Sequence, residues 1–171
     1  MPEPEPAVVT LEPATTAVIR RVVPMAGLAE FFDSSFGALA AAVAEQGAGV
    51  AGPAFALYHG LPTDTVDLEV GFPTQRAVRA DGDVVASALP GGRVARAVHA
   101  GSFDGLGAGW GRLRSWIDEQ GLRAGETFWE VYLTQPTPDM DPADLRTELN
   151  WPVESEPADA ARARPTLRHP P

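Results

Sequence analysis

The chain carries one segment twice. "AEQGAGVAGPAFALYHGLPT" (44–63) lies over "DEQGLRAGETFWEVYLTQPT" (118–137) at a shift of 74 residues. Glu45-Gln46-Gly47 meets Glu119-Gln120-Gly121, Tyr58 meets Tyr132, and Pro62-Thr63 meets Pro136-Thr137. The same shift sets Phe32, Phe36, Leu39 and Val43 over Leu106, Trp110, Leu113 and Ile117, and both sets keep the 4-3-4 spacing of one helical face. Downstream, "LEVGFPT" (68–74) matches "TELNWPV" (147–153) after a longer second loop, "PDMDPADL". Upstream, "AVIRRVV" (17–23) is similar to "RVARAVH" (93–99), and "TLEP" to "SALP". Two amphipathic helices can share a spacing by coincidence. They do not also share Glu-Gln-Gly, a tyrosine, Pro-Thr and Glu-x-x-aromatic-Pro in one order, so the fold must be built from two copies of one unit.

Each copy reads as strand, strand, helix, strand, strand. The first predicts strands near 8–12, 17–23, 54–59 and 66–72 with a helix over 28–46. The second predicts strands near 84–89, 93–99, 127–133 and 146–151 with a helix over 104–120. Asp81-Gly82 and Pro90-Gly91-Gly92 supply hairpin-type turns, and Gly47 and Gly121 follow the helices where the chain turns through a left-handed conformation. The expected fold is a single α+β domain over 8–153, with repeat one at about 8–74 and repeat two at about 84–153. Duplicated strand-helix-strand-strand modules form an antiparallel sheet with two main helices, related by an approximate internal two-fold axis. Residues 1–7 and 154–171, rich in Pro, Ala and charge, read as disordered tails.

Composition removes several function classes. A formal charge of −10 and no basic patch argue against nucleic acid as a partner. Without cysteine there is no disulfide, thiol catalysis or Cys-based zinc site. His59 and His99 lack metal-ligand spacing, so no metal or cofactor is expected. The acidic, proline-rich start is unlike a signal peptide, and the least polar stretch, 37–58, is broken by Glu45, Gln46, glycines and Pro53 before it reaches the length of a membrane span. The expectation is a cytoplasmic protein with no membrane partner.

One strand carries a chemical anomaly. In "FWEVYL" (128–133), alternation puts Trp129, Val131 and Leu133 on one face and Phe128, Glu130 and Tyr132 on the other. Its counterpart "AFALY" (54–58) repeats the first face with Phe55 and Leu57, which marks that face for the helices. On the second face Ala54, Ala56 and Tyr58 answer Phe128, Glu130 and Tyr132. If the two strands meet, one half supplies a ring and a charge, the other two methyl groups, and both a tyrosine. That describes a cleft floored by a carboxylate. An isolated ionised Glu in apolar surroundings is costly or protonates, and a planar organic cation resolves the conflict by pairing with the acid while lying on aromatic rings. On a half-exposed sheet the same Glu130 costs nothing, and pattern alone leaves both readings open.

The second half resembles the GyrI-like family, which is similar to the effector-binding domains of multidrug-responsive bacterial transcription activators. The resemblance rests on His99-x-Gly101 before the helix, Trp110 and Trp116 within it, Glu130-x-Tyr132 on the strand, and "LRTEL" leading to an aromatic-Pro, and it covers roughly residues 8–153. It implies duplicated modules and a cleft for bulky apolar, often cationic compounds, with a glutamate at the place of Glu130. It also implies that some standalone members hydrolyse strained cyclopropane-bearing cytotoxins with that glutamate assisting water. The family often has Gly-Pro-Tyr after the histidine, where this chain has Gly101-Ser102-Phe103. No helix-turn-helix flanks the module, so no DNA-binding domain is expected in this chain.

The expectation is therefore a standalone protein that binds bulky apolar, preferably cationic small molecules and protects against toxins. Glu130 selects charge, Phe128, Tyr132 and Tyr58 form stacking walls, Ala54 and Ala56 leave room, and Trp110, by default a core residue, can edge the cleft. The alternative is a hydrolase of strained electrophiles with Glu130 as general base and Tyr132 positioning water or the leaving group. A third class, an acidic surface masking a basic protein partner, rests on net charge alone. "GLGAGWG" (105–111) fails the dinucleotide pattern because Trp110 stands where glycine is needed, and the chain has no lysine for a phosphate loop. His99, Ser102 and Asp104 are too close in sequence to form a hydrolytic triad. Phe72 and Trp151, counterparts in the repeat, read as core.

Overall fold

The computed structural model describes residues 5–134 and 139–155. Most of both expected tails, and Pro136-Thr137 of the repeat, lie outside the described residues. The chain runs β1 (Ala7–Leu11), β2 (Ala14–Pro24), α1 (Leu28–Gln46), β3 (Phe55–His59), β4 (Thr65–Pro73), β5 (Val85–Leu89), β6 (Gly92–Ala100), α2 (Leu106–Glu119), β7 (Leu122–Ala124), β8 (Thr127–Tyr132) and β9 (Arg146–Ser155). A 3-10 turn leads into each helix, Met25–Gly27 and Phe103–Gly105. Gly47, at φ 61°, caps α1, and Gly121, at φ 72°, follows α2. The fold is α+β, as the pattern predicts. β7 is an addition: three residues that pair with the end of β9, which runs on to Ser155 and so enters the stretch expected as a tail. β1 likewise starts at Ala7.

All the strands are antiparallel, in the order β1-β6-β9-β8-β3-β4-β2-β5, with β7 on β9. The order is unchanged when read from the other end with β1 exchanged for β5, β2 for β6, β3 for β8 and β4 for β9. The registers show the same exchange. Phe55 faces Gly71 on one side as Trp129 faces Asn150 on the other. Ala17 pairs with Phe72 and Ala95 with Trp151, which makes Ala95 the counterpart of Ala17. The sequence alignment of "AVIRRVV" with "RVARAVH" was therefore two residues out, an even slip that leaves every side chain on its proper face.

The sheet cannot be flat. β1 and β2 lie six inter-strand steps apart in the order, roughly 29 Å at about 4.8 Å per step. Only Glu12 and Pro13 join them, a connection that bridges at most about 10 Å. Pro90 and Gly91 impose the same condition on β5 and β6. The sheet curls until its ends meet, and the two turns touch: a Cβ on Gly91 would stand 2.6 Å from the Pro13 ring.

Curling creates two cores. On one face α1 and α2 bury Leu39, Val43, Leu113 and Ile117 against Ala56, Tyr58, Val70, Phe128, Leu149 and Trp151. On the other, with no helix, Phe55, Leu57, Trp129, Val18 and Val94 pack together with Val9, Leu11 and Leu89 of the closing strands. This corrects the assignment of faces. The helices cover the face of Glu130, and Trp129 belongs to the helix-free face. Because the curl buries both faces of β8, hydrophobicity could not identify the helix side. α1 with its leading turn, Met25–Gln46, is long and apolar enough by length and composition to cross a membrane, but buries Phe31, Ser35, Leu39, Ala42 and Val43 on the protein itself.

Trp129 tests the second core. At 2% exposure its replacement by alanine should cost about 3–5 kcal/mol in urea unfolding. A face left half-open to water would lose under about 1 kcal/mol.

Candidate functional site

The two halves join where β3 pairs with β8. Phe55 faces Val131, Ala56 faces Glu130, Leu57 faces Trp129 and Tyr58 faces Phe128. Ala56 and Glu130 are also counterparts in the repeat, so Glu130 stands opposite its own equivalent. On one side of this pair, Tyr58 lies beside Phe128. On the other, the Tyr132 N–H donates to the Ala54 carbonyl at 3.0 Å, so Tyr132 lies beside Ala54, the counterpart of Phe128.

Glu130 is 4% exposed and holds three donors. The hydroxyls of Tyr58 and Tyr132 both donate to Oε2, at 3.1 and 2.6 Å. The Trp110 indole N–H, from α2, donates to Oε1 at 3.2 Å. These bonds and the charge of His99 draw the carboxyl pKa down, yet burial outweighs them and the net shift is upward from 4.5. Burial, with the adjacent carboxylate second, likewise pushes the Tyr58 and Tyr132 hydroxyls well above their ordinary 10.0. At neutral pH both are protonated donors. The site is an acid held by neutral donors, with no counter-ion hydrogen-bonded to it among the described residues.

Aromatic rings surround it. Phe128 stacks on Tyr58 at 5.3 Å and 24°, and meets Trp110 and Trp151 at 4.8 Å each. Tyr132 makes T-shaped contacts with Phe32 of α1, at 6.4 Å and 89°, and with Phe103, at 6.0 Å and 76°. Phe103 occupies the position where the family resemblance often places a tyrosine, so the ring is kept and the hydroxyl lost. Exposure differs between the sides: Tyr58 and Phe128 are 8% and 5% exposed, Tyr132 and Ala54 are half-buried, and Phe103 is 40% exposed. Glu130 is therefore approached from the Tyr132 side.

The structure thus brings together all the predicted site residues around a buried Glu130. Two grooves lie elsewhere. One, of about 750 Å³, runs between α2 and β6 past Arg112 and Trp116; the other, of about 310 Å³, lies beside α1 and Phe72. Glu130 lines neither. Sequence reasoning missed Phe32 and Phe103, whose only signal was an aromatic on the α1 stripe and one just before α2. Trp110, read by default as a core residue able to edge the cleft, donates its indole N–H to the acid, a role its spacing does not signal. Other polar side chains bond to one another within the sheet. His59 and Ser87 hold Glu69 at 2.6 and 3.0 Å, while Asn150 and Arg96 hold Glu148 at 3.0 and 3.4 Å. His99 Nε2 donates to the Ser102 carbonyl at 2.8 Å, away from any triad arrangement.

The raised pKa has a measurable sign. Just above pH 4.5 the unfolded chain releases the Glu130 proton while the folded state keeps it. Folded protein then binds more protons than unfolded, and stability falls as pH rises until the folded carboxyl ionises. Glu130→Gln removes this dependence. Urea denaturation from pH 4.5 to 8 should show wild type losing stability relative to the variant as pH rises; the opposite trend would mean a lowered pKa.

Several solved structures share the fold. The EcmrR C-terminal domain superposes with a TM-score of 0.79 at 19% identity, covering 91% of this chain and 99% of that one. In the EcmrR–DNA complex the match has a TM-score of 0.78 and 19% identity, covering 88% of this chain but 57% of that one, so this chain spans little more than half of EcmrR. A hydrolase from Listeria innocua matches at 0.65 and 13% identity over 90% of this chain and 94% of that one. SAV2435 bound to tetraphenylphosphonium matches at 0.63 and 13% over 88% and 94%. Comparison with curated proteins gives no match. The GyrI-like small molecule binding domain matches residues 4–154, nearly the whole length, and the chain belongs to that family.

Proposed function

We propose that this domain binds bulky, apolar organic cations, with the cationic centre at Glu130 and aromatic groups against Tyr132, Phe103, Phe32 and Trp110. The carrying observation is the buried carboxyl with a raised pKa, held by three neutral donors and no counter-ion hydrogen-bonded to it. A permanent cation supplies what the resting site lacks, and its apolar groups tolerate the dry surroundings that penalise a hydrated ion. Family membership supports small-molecule binding, and tetraphenylphosphonium on a protein of the same fold is a ligand of this chemical kind. Tyr58 and Phe128 support Glu130 from the closed side, and Ala56 leaves the space opposite it. Entry requires Trp110 or Phe103 to move, because both stand over the acid or its flanking tyrosine.

Titration with tetraphenylphosphonium, followed by tryptophan fluorescence, tests this. Glu130→Gln should weaken binding by about 1.5–3 kcal/mol, roughly 10- to 150-fold. Equal affinity in both proteins would remove Glu130 from the site.

The 2.6 Å bond from Tyr132 to a carboxyl of raised pKa also favours a second reading, hydrolysis of strained, cyclopropane-bearing electrophiles. Glu130 would take a proton from a water whose oxygen bonds a cyclopropane carbon as the strained C–C bond to the neighbouring carbon breaks; that neighbour leaves with the electron pair and takes up a proton, and Tyr132 orients the water. A fold neighbour described as a hydrolase is consistent with it. Catalytic substrate loss that stops in Glu130→Gln would support this reading; one-to-one binding without product would end it for that substrate.

A further inference from the structure

In the first half the chain stays on the body of the protein after β4. Gln75 and Arg76 donate their N–H groups to the carbonyls of Gly49 and Ala48, at 2.8 and 3.1 Å. Three residues on, the Gln46 side chain clamps the backbone of Arg79: its Nε2 donates to the Arg79 carbonyl at 2.9 Å, and its Oε1 accepts the Arg79 N–H at 2.7 Å. On its way to β5 the segment buries Val78 and Val84, at 6% and 2% exposure, in the helix-side core. Residues 75–84 thus form a strap beside α1.

The second half repeats both ends of this strap. Glu154 and Ser155 pair with Arg123 and Leu122 as Gln75 and Arg76 pair with Gly49 and Ala48. Gln120 is the counterpart of Gln46 and stands two residues before Leu122, as Gln46 stands two before Ala48. It is exposed, and its side-chain amide has no hydrogen bond among the described residues. At the far end, Ala7 pairs with Arg96 as Val85 pairs with Val18, so Pro6 takes the place of Val84. Where the first half has its strap, the second has the groove of about 750 Å³ between α2 and β6, lined among others by Pro6, Ala97, Arg112, Trp116 and Leu149.

We propose that this groove is the docking site of the chain's own residues 156–163, which form the second strap. They follow β9 into the groove, Gln120 clamps the backbone of Ala158 as Gln46 clamps Arg79, and Pro157 lies where Val78 lies. The chain is long enough. Ser155 faces Leu122, and three further residues span up to about 10 Å, which brings Ala158 alongside Gln120. Charge favours docking too: residues 156–171 carry three arginines against two acids in a chain of formal charge −10, and Glu119 lies in the groove. The strap bears on α2, the helix whose Trp110 indole is bonded to Glu130, and so limits how readily Trp110 leaves the acid.

Amide hydrogen exchange, followed by NMR on the full chain, tests the strap. The Ala158 N–H should exchange at least about tenfold more slowly than in a free peptide of residues 154–171, and Gln120→Ala should remove that protection. Deleting residues 156–171 should speed exchange of the α2 amides from Trp110 to Ile117 by about threefold or more, and leave α1 unchanged. Exchange of Ala158 at the peptide rate in the wild type overturns the proposal, and so does protection that Gln120→Ala leaves intact. Protection that disappears on dilution places the segment in the groove of a second copy and overturns a strap within one chain. Unchanged α2 exchange after the deletion overturns the hold on Trp110.

Discussion

The pairing of β3 with β8 is the constraint on which the rest depends. Among the described strands it is the hydrogen-bonded pairing that joins the four strands on one side of the sheet's centre to the four on the other, and its register sets Ala56 against Glu130. A slip of one residue would turn Glu130 to the helix-free face, separate it from Trp110 and bury a charge beside Phe55 and Leu57. The correct register instead delivers two tyrosine hydroxyls from neighbouring strands and an indole from the helix above. Holding the sheet and holding the acid are one requirement.

Closure of the sheet gives that requirement its rigidity. β1 pairs with the second half's β6 and β5 with the first half's β2, while two-residue turns join β1 to β2 and β5 to β6. Every strand of the main path thereby contributes to a strongly curled wall. Side chains on its outer and inner faces are fixed from both sides, which is why Trp129 and Glu130, adjacent in sequence, are both almost fully buried. A buried acid is tolerable only on such a floor, since a mobile one would let water reach the carboxylate and erase its raised pKa.

Much of this was legible in the sequence, and the failures have specific causes. The repeat and the 4-3-4 stripes gave the element order, both long helices and the α+β class, because those signals are local. Glu130 stood out since a charge between Phe128 and Tyr132 violates the alternation of a core strand. The identity of the helix face was not local: β8 is apolar on both sides, and only the curl explains why. α1, with 19 residues against 14 in α2, shows that the copies differ in length even where their stripes align. The donor role of Trp110 depends on a helix-to-sheet distance that no spacing encodes.

The Ala56–Glu130 pair carries an evolutionary consequence. A homodimer of single repeats, assembled through the same strand, would place each residue at this position against its identical copy. It could have two glutamates there, repelling one another across adjacent strands, or two alanines and no charge. A single polypeptide that carries both strands leaves the two positions free to differ, as Ala56 and Glu130 do. One carboxylate at the centre of the sheet, with no like charge across the strand pair, is an arrangement that a symmetric homodimer could not reach.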